Sequence, residues 1–270
     1  ALRISSEAPD SATGTQTTLA ELGARILLVE DTAVNQSIGV MMLEALGCGV
    51  ACAEDGSVAV RLSNEEHFDL ILMDCQMPVM DGYVATAEIR KHEAMVAEWP
   101  GQHGRRRIPI IALTAHAMQG DRERCLAAGM DDYLPKPYSR QQLADVLARW
   151  LRRNGEATAR GEVKTETPTE AVKSDQVLID PAAIAVIRQL QQPGAADVVG
   201  RVVQTYCTDA PKLIERMRSS LQSGDAEALN RAAHSLKSSS ASVGVKHVAS
   251  LSKEIEARAK AKDLAGVERM

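Results

Sequence analysis

Several side chains that could handle a phosphoryl group follow short apolar runs in the first half of the chain. They are Glu30 and Asp31 after ILLV, Asp74 after LILM, Thr114 after IIAL, and Lys136 after YLP. Converging carboxylates repel one another and favour a hard cation with oxygen ligands, such as Mg²⁺. Asp74 could then attack phosphorus as a nucleophile, while the cation, Lys136 and Thr114 hold the phosphoryl oxygens. These residue types predict transfer of a phosphoryl group to a carboxylate.

His234 is a second candidate nucleophile, set apart from the other histidines by its helical surroundings. Helical periodicity places a buried stripe at Leu229, Ala233, Leu236, Ser240 and Val243. His234 lies off that stripe, beside small side chains, with Arg231 and Lys237 one turn away on either side. A neutral imidazole nitrogen is a competent nucleophile. We therefore expect a surface histidine that another domain can approach closely, and we expect His247, past Gly244, to be an ordinary surface residue.

The first half of the chain alternates between strands and helices. Apolar runs without period-two alternation, typical of strands buried on both faces, lie at 24–30, 49–54, 69–74 and 108–114, and a last short strand lies in 131–137. Helical segments between them predict a doubly wound, five-stranded parallel sheet with helices on both faces. All strands of such a sheet end at one edge, where ligands bind. The topology therefore gathers the carboxylates, Thr114 and Lys136 in one cleft.

The second half has no strand signal and predicts an all-α helical bundle. Helical runs span 180–190, 195–224, 225–244 and 245–263. Pro181 suits a first helical turn, Asp225 suits an N-cap, and Gly224 and Gly244 suit helix ends. The final LAGVERM resembles the opening of one more helix, so the last helix of the bundle is expected to be truncated.

Two polar stretches divide the chain. Residues 1–23 are rich in Ser, Thr, Ala and Gly, and residues 154–176 are polar with no long apolar run. Neither composition can bury enough apolar area to offset the entropy lost on ordering, so we interpret them as a tether and a flexible linker. The predicted domains are therefore 24–153 and 177–270.

Composition excludes several classes of protein. A net charge of −5 gives no indication of nucleic-acid binding. The five cysteines show no metal-binding spacing and are expected to be reduced, as in the cytoplasm. No apolar run is long enough to span a membrane, and no signal peptide is present at the start, Ala-Leu-Arg. We expect a cytoplasmic segment without direct membrane contact, cut from a parent that could be anchored in the inner membrane.

Four motifs of the first domain resemble bacterial response-regulator receiver domains. They are LLVEDTAVNQ, LILMDCQMPVMDG, IIALTA and DDYLPKP. The resemblance covers about 130 residues and implies a flavodoxin-like receiver fold with Asp74 as the phosphoacceptor. It implies Mg²⁺ (or Mn²⁺) held by Glu30, Asp31, Asp74 and the backbone carbonyl of Gln76.

The same resemblance implies roles for residues further along the domain. Thr114 and Lys136 match the switch and phosphate-binding positions, and Tyr133 matches the rotating aromatic residue of the family. The Lys136–Pro137 peptide bond matches a cis bond of the family. Residues 98–107 (EWPGQHGRRR) depart from the family as an enlarged loop. Its Trp99 and its arginines, Arg105 to Arg107, could form a docking surface, or the loop could be a solvated insertion.

HSLKSSSASVG at 234–244, followed by LSKEIE, resembles histidine-phosphotransfer (Hpt) domains. The resemblance covers about residues 177–270 and implies that His234 is phosphorylated. Lys237 matches the lysine of the Hpt motif, and Arg231 would support the phosphorylated histidine. Ser238 occupies a position where the family commonly has Gly.

Together the resemblances indicate the C-terminal receiver and Hpt segment of a bacterial hybrid sensor histidine kinase. Asp74 would accept a phosphoryl group from the phosphohistidine of a kinase core and pass it, through His234, to a downstream response-regulator receiver. The chain has no Gly-rich nucleotide loop, so it contains no ATP-dependent kinase core, and whether the segment itself counts as a transferase stays open.

Three alternatives remain at this point. The chain could be a hydrolase with an aspartyl-phosphate intermediate, although Gln76 stands where an acid/base Asp would be required. It could be a phosphorylation-gated docking or inhibitory module. It could also drain phosphoryl groups from a pathway by running the relay backward. The signal sensed, the downstream regulator, the oligomeric state and the arrangement of the two domains are not readable from the sequence.

Overall fold

The computed structural model describes residues 23–97, 107–114, 119–152, 179–191 and 197–270. Its first domain, called here the α/β domain, has a sheet whose five parallel strands run in the order β2-β1-β3-β4-β5. The strands are β1 (Arg25–Val29), β2 (Gly49–Ala53), β3 (Leu70–Asp74), β4 (Ile110–Thr114) and β5 (Asp132–Pro135). The helices between and after them are α1 (Ala33–Glu44), α2 (Gly56–Glu65), α3 (Gly82–Ala97), α4 (Gln119–Ala127) and α5 (Arg140–Arg152).

Apolar layers cover both faces of this sheet. Strands β3 and β4 are buried at every residue, because helices pack on each side of them. Helices α1 and α5 contribute residues such as Val34 and Leu147 to one layer, and α2 and α3 contribute Ala59 and Ile89 to the other. The α/β domain therefore holds its strand ends rigidly at one edge.

The remaining helices form a second domain, called here the helical domain. They are α6 (Pro181–Arg188), α7 (Val198–Ser223), α8 (Ala226–Ser242), α9 (Lys246–Lys260) and α10 (Leu264–Glu268). Asp225 caps α8 by accepting hydrogen bonds from the N–H groups of Glu227 and Ala228. Gly224, in the left-handed conformation, ends α7, and Pro181 begins α6, as predicted.

The two domains share one apolar cluster. Ile38 and Met42 of α1 belong to the same buried cluster as Ile187 of α6 and Val202 of α7. Helix α1 thus packs on the helical domain with one side and on its own sheet with the other. This arrangement positions α8 against the edge of the sheet at which the strands end.

The predicted fold class is confirmed: a five-stranded parallel α/β fold precedes a helical bundle. The five strands fall within the runs identified from sequence, each within two residues of its predicted ends. The Lys136–Pro137 peptide bond is cis, as the resemblance implies. Among the described helices, none is both long enough and apolar enough to cross a membrane. Residues 1–22 of the tether, the whole linker and residues 98–106 of the enlarged loop lie outside the described residues, and the domain boundaries stay predictions.

Candidate functional site

Three carboxylates converge where β1 and β3 end. Glu30 and Asp31 directly follow β1, and Asp74 is the last residue of β3, so the parallel pairing of the two strands places them side by side. One oxygen of each carboxylate lies within 4.8 Å of the others. Glu30 and Asp74 are almost fully buried. A set of close oxygen ligands with this much negative charge can hold a divalent cation.

Within the part of the chain that the structure describes, Lys136 is the cation bonded to these carboxylates. Its Nζ donates a hydrogen bond of 2.7 Å to Oδ2 of Asp74 and another to Oε2 of Glu30. The backbone N–H of Lys136 donates to the carbonyl of Thr114, 2.7 Å away, which ties the end of β5 to the end of β4. Burial opposes the charge on the ammonium, but Asp74 and Glu30 outweigh it and raise the pKa of Lys136.

The surroundings of Glu30 and Asp31 disfavour the charged form of both carboxylates. Burial raises the pKa of Glu30 to about 7; Lys136 opposes this rise, while Asp74 and Asp31 add to it. Burial and the charge of Asp74 also raise the pKa of Asp31, against a hydrogen bond from Ser235. One lysine therefore does not neutralise the cluster, and a further cation would relieve the repulsion.

The other predicted residues of the α/β domain lie near Asp74 to different degrees. The backbone N–H of Gln76 donates to Oδ1 of Asp74 at 3.2 Å. Thr114 is buried at the end of β4, beside β3 in the sheet. Tyr133 pairs with Ala112 in register and packs, half-buried, in an apolar layer of the sheet. The coordinates thus bring Gln76 to Asp74 and place Thr114 on the neighbouring strand, whereas the switch role of Tyr133 stays a prediction.

Gly82 is a residue of the site to which the sequence reasoning assigned no role. A Cβ atom at this position would lie 2.1 Å from the carbonyl oxygen of Asp74, and real Cβ contacts are never that close. Its N–H also donates to the carbonyl of Cys75 at 3.3 Å. Only a glycine lets the start of α3 pack against the end of β3, which holds the segment after Asp74 in place.

His234 lies on α8 and is held by a carboxylate of α9. Its Nδ1 is 2.6 Å from Oε1 of Glu256, so Nδ1 carries the proton and the lone pair of Nε2 is available as a nucleophile. Lys237 Nζ donates to the other oxygen of Glu256, at 2.5 Å, and lies 3.4 Å from Nδ1 of His234. Burial opposes the charge of Glu256, but His234 and Lys237 outweigh it and lower its pKa to about 2.

Arg231 is not brought to the imidazole in the way the spacing suggested. Its guanidinium donates to Oε1 of Glu227, one turn earlier on α8, at 2.7 Å. Lys237 is therefore the cation that the structure places beside His234. Glu256, which completes this group, was missed from sequence because no spacing rule links it to His234.

The expectation of an exposed imidazole is wrong for this structure. The residues of the predicted stripe on α8 are buried, and so is His234, which is only 3% exposed. The imidazole bonds to Glu256 of α9, and the α/β domain contacts the residues beside it on α8. Ser235 Oγ donates to Oδ2 of Asp31 at 2.7 Å, and Asn35 Nδ2 donates to Oγ of Ser238 at 2.9 Å. His247, by contrast, is exposed as predicted.

The carboxylate site borders a cavity between the two domains. A cavity of about 370 Å³ lies between the domains, and Glu30 and Lys136 line it from the α/β side. Asn35 of α1 and Ser242 of α8 line it as well. The edge of the carboxylate cluster thus opens onto a space that both domains enclose.

Comparison with known proteins adds two family assignments. Residues 26–148 match the response regulator receiver domain, and residues 201–269 match the Hpt domain. The sensor histidine kinase GacS of Pseudomonas protegens is 32% identical over 232 residues, which is 84% of this chain and 23% of that protein. The sensor protein GacS of Pseudomonas syringae pv. syringae is 42% identical over 132 residues, 49% of this chain and 14% of that protein.

A solved structure is also similar to the α/β domain. The receiver domain of the sensor histidine kinase PA1611 from Pseudomonas aeruginosa PAO1, with a magnesium ion coordinated in its active-site cleft, is 48% identical. The match covers 48% of this chain and 98% of that one, with a TM-score of 0.41. The chain spans less than a quarter of the length of the two curated relatives.

Proposed function

The chain carries a response regulator receiver domain and an Hpt domain of the two-component phosphorelay, and we propose that it passes a phosphoryl group between Asp74 and His234. The α/β domain is called the receiver domain from here on, and the helical domain the Hpt domain. One observation carries the proposal. Ser235, the residue next to His234, donates a hydrogen bond to Asp31, a member of the carboxylate cluster of Asp74. The helix that carries one candidate nucleophile is therefore bonded to the carboxylate cluster that carries the other.

The first step would load Asp74. An oxygen of its carboxylate attacks the phosphorus of a phosphohistidine in a kinase core, the P–N bond breaks, and the imidazole leaves. Lys136, already bonded to Asp74, would bind a phosphoryl oxygen and offset the added charge. The hydroxyl of Thr114 would donate to another phosphoryl oxygen and so respond to phosphorylation.

The residues of the cluster fit Mg²⁺, and Mn²⁺ is a second candidate because it takes the same oxygen ligands. Glu30, Asp31, Asp74 and the carbonyl of Gln76 would hold the ion, which supplies positive charge to the phosphoryl oxygens when bound. The fit rests on the donor set. The three carboxylates bring their oxygens close together, and the pKa values of Glu30 and Asp31 are raised.

The second step would transfer the group to His234. Its Nε2 attacks the phosphorus of the acyl phosphate, the bond to the Asp74 oxygen breaks, and Asp74 recovers its carboxylate. Glu256 keeps the proton on Nδ1 and stabilises the positive charge that develops on the ring, while Lys237 is close enough to pair with the added phosphoryl charge. The reverse reaction uses the same residues, so mass action sets the direction.

The rest of the relay lies outside this chain. We propose a kinase core as the donor and the aspartate of a separate response regulator as the final acceptor. The segment would act in the cytoplasm, where ATP supplies the kinase, and we expect no nucleic-acid partner.

Transfer of radiolabelled phosphoryl groups from the kinase core of a related hybrid kinase tests this proposal. Wild type should take up label and pass it to a response regulator. Asp74→Asn should take up none, and His234→Gln should take up label but fail to pass it on. If His234→Gln still supplied the response regulator, the relay order proposed here would be wrong. If cells that carry Asp74→Asn kept full function, the docking-module alternative would be favoured instead.

A further inference from the structure

One asparagine links the two domains with two of the three hydrogen bonds of its side chain. Asn35, on α1 of the receiver domain, donates from Nδ2 to Oγ of Ser238 at 2.9 Å and to Oε1 of Glu30 at 3.0 Å. Its Oδ1 accepts a hydrogen bond of 2.8 Å from Oγ of Ser242. The amide thus has both of its protons and its oxygen satisfied, two of the three bonds by the Hpt domain.

The two serines lie on the same face of α8 as the histidine. His234, Ser238 and Ser242 follow one another at intervals of four residues, so they form one row along the helix. Asn35 connects this row to Glu30 of the carboxylate cluster. Ser235, the residue after His234, donates to Asp31. The polar contacts therefore align the row that carries His234 with the ends of the strands that carry the carboxylates.

Apolar packing surrounds these polar contacts but cannot by itself select a partner. Ile38 and Met42 of α1 share a buried cluster with Val198, Val202 and Val243 of the Hpt domain. Burial of apolar area has no direction and tolerates many surfaces of similar shape. A half-buried amide is different, because a partner that lacks the matching hydroxyls leaves its polar atoms without those hydrogen bonds. Asn35 is therefore the residue of this interface most able to discriminate between Hpt domains.

We infer that the receiver and Hpt domains of one chain form an intramolecular complex, and that Asn35 selects the chain's own Hpt domain through Ser238 and Ser242. The inference rests on the proposed function and deepens it by naming the partner of the Asp74 site. It has a consequence for the relay, because Ser235 and Ser238, on the face of α8 that bears His234, bond to the receiver domain. A downstream receiver must displace the chain's own receiver domain before it can take the phosphoryl group.

Chemical modification of His234 tests the inference without any phosphoryl transfer. Diethyl pyrocarbonate acylates accessible imidazoles, and peptide mass spectrometry gives the rate at each histidine of the full-length chain. Exposed His247 serves as the internal reference. In wild type, His234 should react much more slowly than His247. Asn35→Ala and Ser242→Ala should each raise the His234 rate about 2- to 12-fold, the range that corresponds to the loss of one half-buried hydrogen bond.

The double variant and a matched control make the result decisive. Because the two residues share one bond, Asn35→Ala with Ser242→Ala should react little faster than the faster single variant. Gln141→Ala removes a receiver amide whose bond, among the described residues, is to Asp145 on its own helix, so it should react as wild type does. Ser242 lies on the Hpt domain, so its variant tests the contact without touching the carboxylate cluster.

Two outcomes would overturn the inference. If Ser242→Ala and Asn35→Ala left the His234 rate at its wild-type value, the Hpt bundle alone would be shielding the imidazole. If Gln141→Ala raised the rate equally, the effect would be a general loosening of the receiver domain. Failure of the relay gives a different pattern: His234 would be shielded and released by the variants as expected, yet labelled Asp74 would pass nothing to it.

Discussion

Replacing Lys136 with methionine isolates the electrostatics of the carboxylate cluster. Methionine keeps much of the length and packing of the lysine side chain but removes the ammonium, which bonds to both Glu30 and Asp74. Removing one member of a buried ion pair leaves an uncompensated charge and typically costs about 3–5 kcal/mol. We therefore expect Lys136→Met to lower the free energy of unfolding by about that amount at pH 8 without divalent cations.

The stability lost in Lys136→Met should depend on pH, because the protonation state of Glu30 depends on pH. Its pKa is raised from 4.5 to about 7, so Glu30 favours the folded state below pH 4.5 and opposes it progressively as the pH rises through 7. Lys136 lowers this pKa, so its removal moves the value above 7. At pH 5.5 the carboxylic acid is then neutral in the folded variant, and the loss should be smaller by about 1–2 kcal/mol, because one pKa unit corresponds to about 1.4 kcal/mol.

Urea denaturation of wild type and Lys136→Met at pH 5.5 and pH 8, with and without Mg²⁺, measures each of these quantities. Mg²⁺ should restore part of the stability of the variant at pH 8 and little at pH 5.5, because the bound ion needs ionised carboxylates. Arg61→Met, which removes an exposed helix-surface ion pair with Glu65, is the control and should change stability by less than about 1 kcal/mol. An equal loss for Lys136→Met at both pH values would refute the reasoning.

Three further variants probe other features of the two domains. The pKa of Glu256 is lowered from 4.5 to about 2, so its carboxylate stabilises the fold fully above pH 4.5 and loses that effect as the pH falls towards 2. Glu256→Gln should therefore flatten the acid-induced loss of stability in denaturation curves and slow transfer to His234. Val79 is 87% exposed with a φ of 66°, so Val79→Asn should raise the free energy of unfolding by about 0.5–1 kcal/mol, and an unchanged value would show that the backbone is unstrained there. Gly82→Ala should destabilise by about 2–3 kcal/mol and slow phosphorylation of Asp74, measured with acetyl phosphate, since its methyl group meets the Asp74 carbonyl.

The carboxylate site could be predicted from sequence because topology does most of the work. Once the strands are known to be parallel, residues that follow them must share an edge, and the exact loop conformations matter little. Glu30, Asp74 and Lys136 follow this logic and lie in contact. The position of Tyr133 relative to the site depends instead on a side-chain rotamer, which no strand pattern determines.

The surroundings of His234 could be predicted only within its own helix. Periodicity placed Lys237 one turn from it correctly, but Arg231 pairs with Glu227, because an i,i+4 partner on the same helix was available. Glu256 lies 22 residues away on α9, and its contact depends on how α8 and α9 pack. Packing of two helices sets such contacts through crossing angle and register, which a single sequence does not specify.

The contact between the domains could not be predicted at all. Asn35 and its two serine partners are separated by 203 and 207 residues, and the serines look like ordinary small residues of a helix surface. Their meaning appears only when α1 is packed on the Hpt domain. His234, in turn, is only 3% exposed, although its position on α8 suggested exposure.

Transfer of a phosphoryl group within the chain, from Asp74 to His234, is the central claim. Labelling the purified chain with radioactive acetyl phosphate and Mg²⁺, followed by tests of lability, measures it directly, because hydroxylamine cleaves acyl phosphates and leaves phosphohistidine intact. Wild type should accumulate hydroxylamine-resistant, acid-labile label at His234, His234→Gln should hold only hydroxylamine-sensitive label, and Asp74→Asn should hold none. Label at His234 in Asp74→Asn, or its absence from His234 in a wild type whose Asp74 is phosphorylated, would contradict the account.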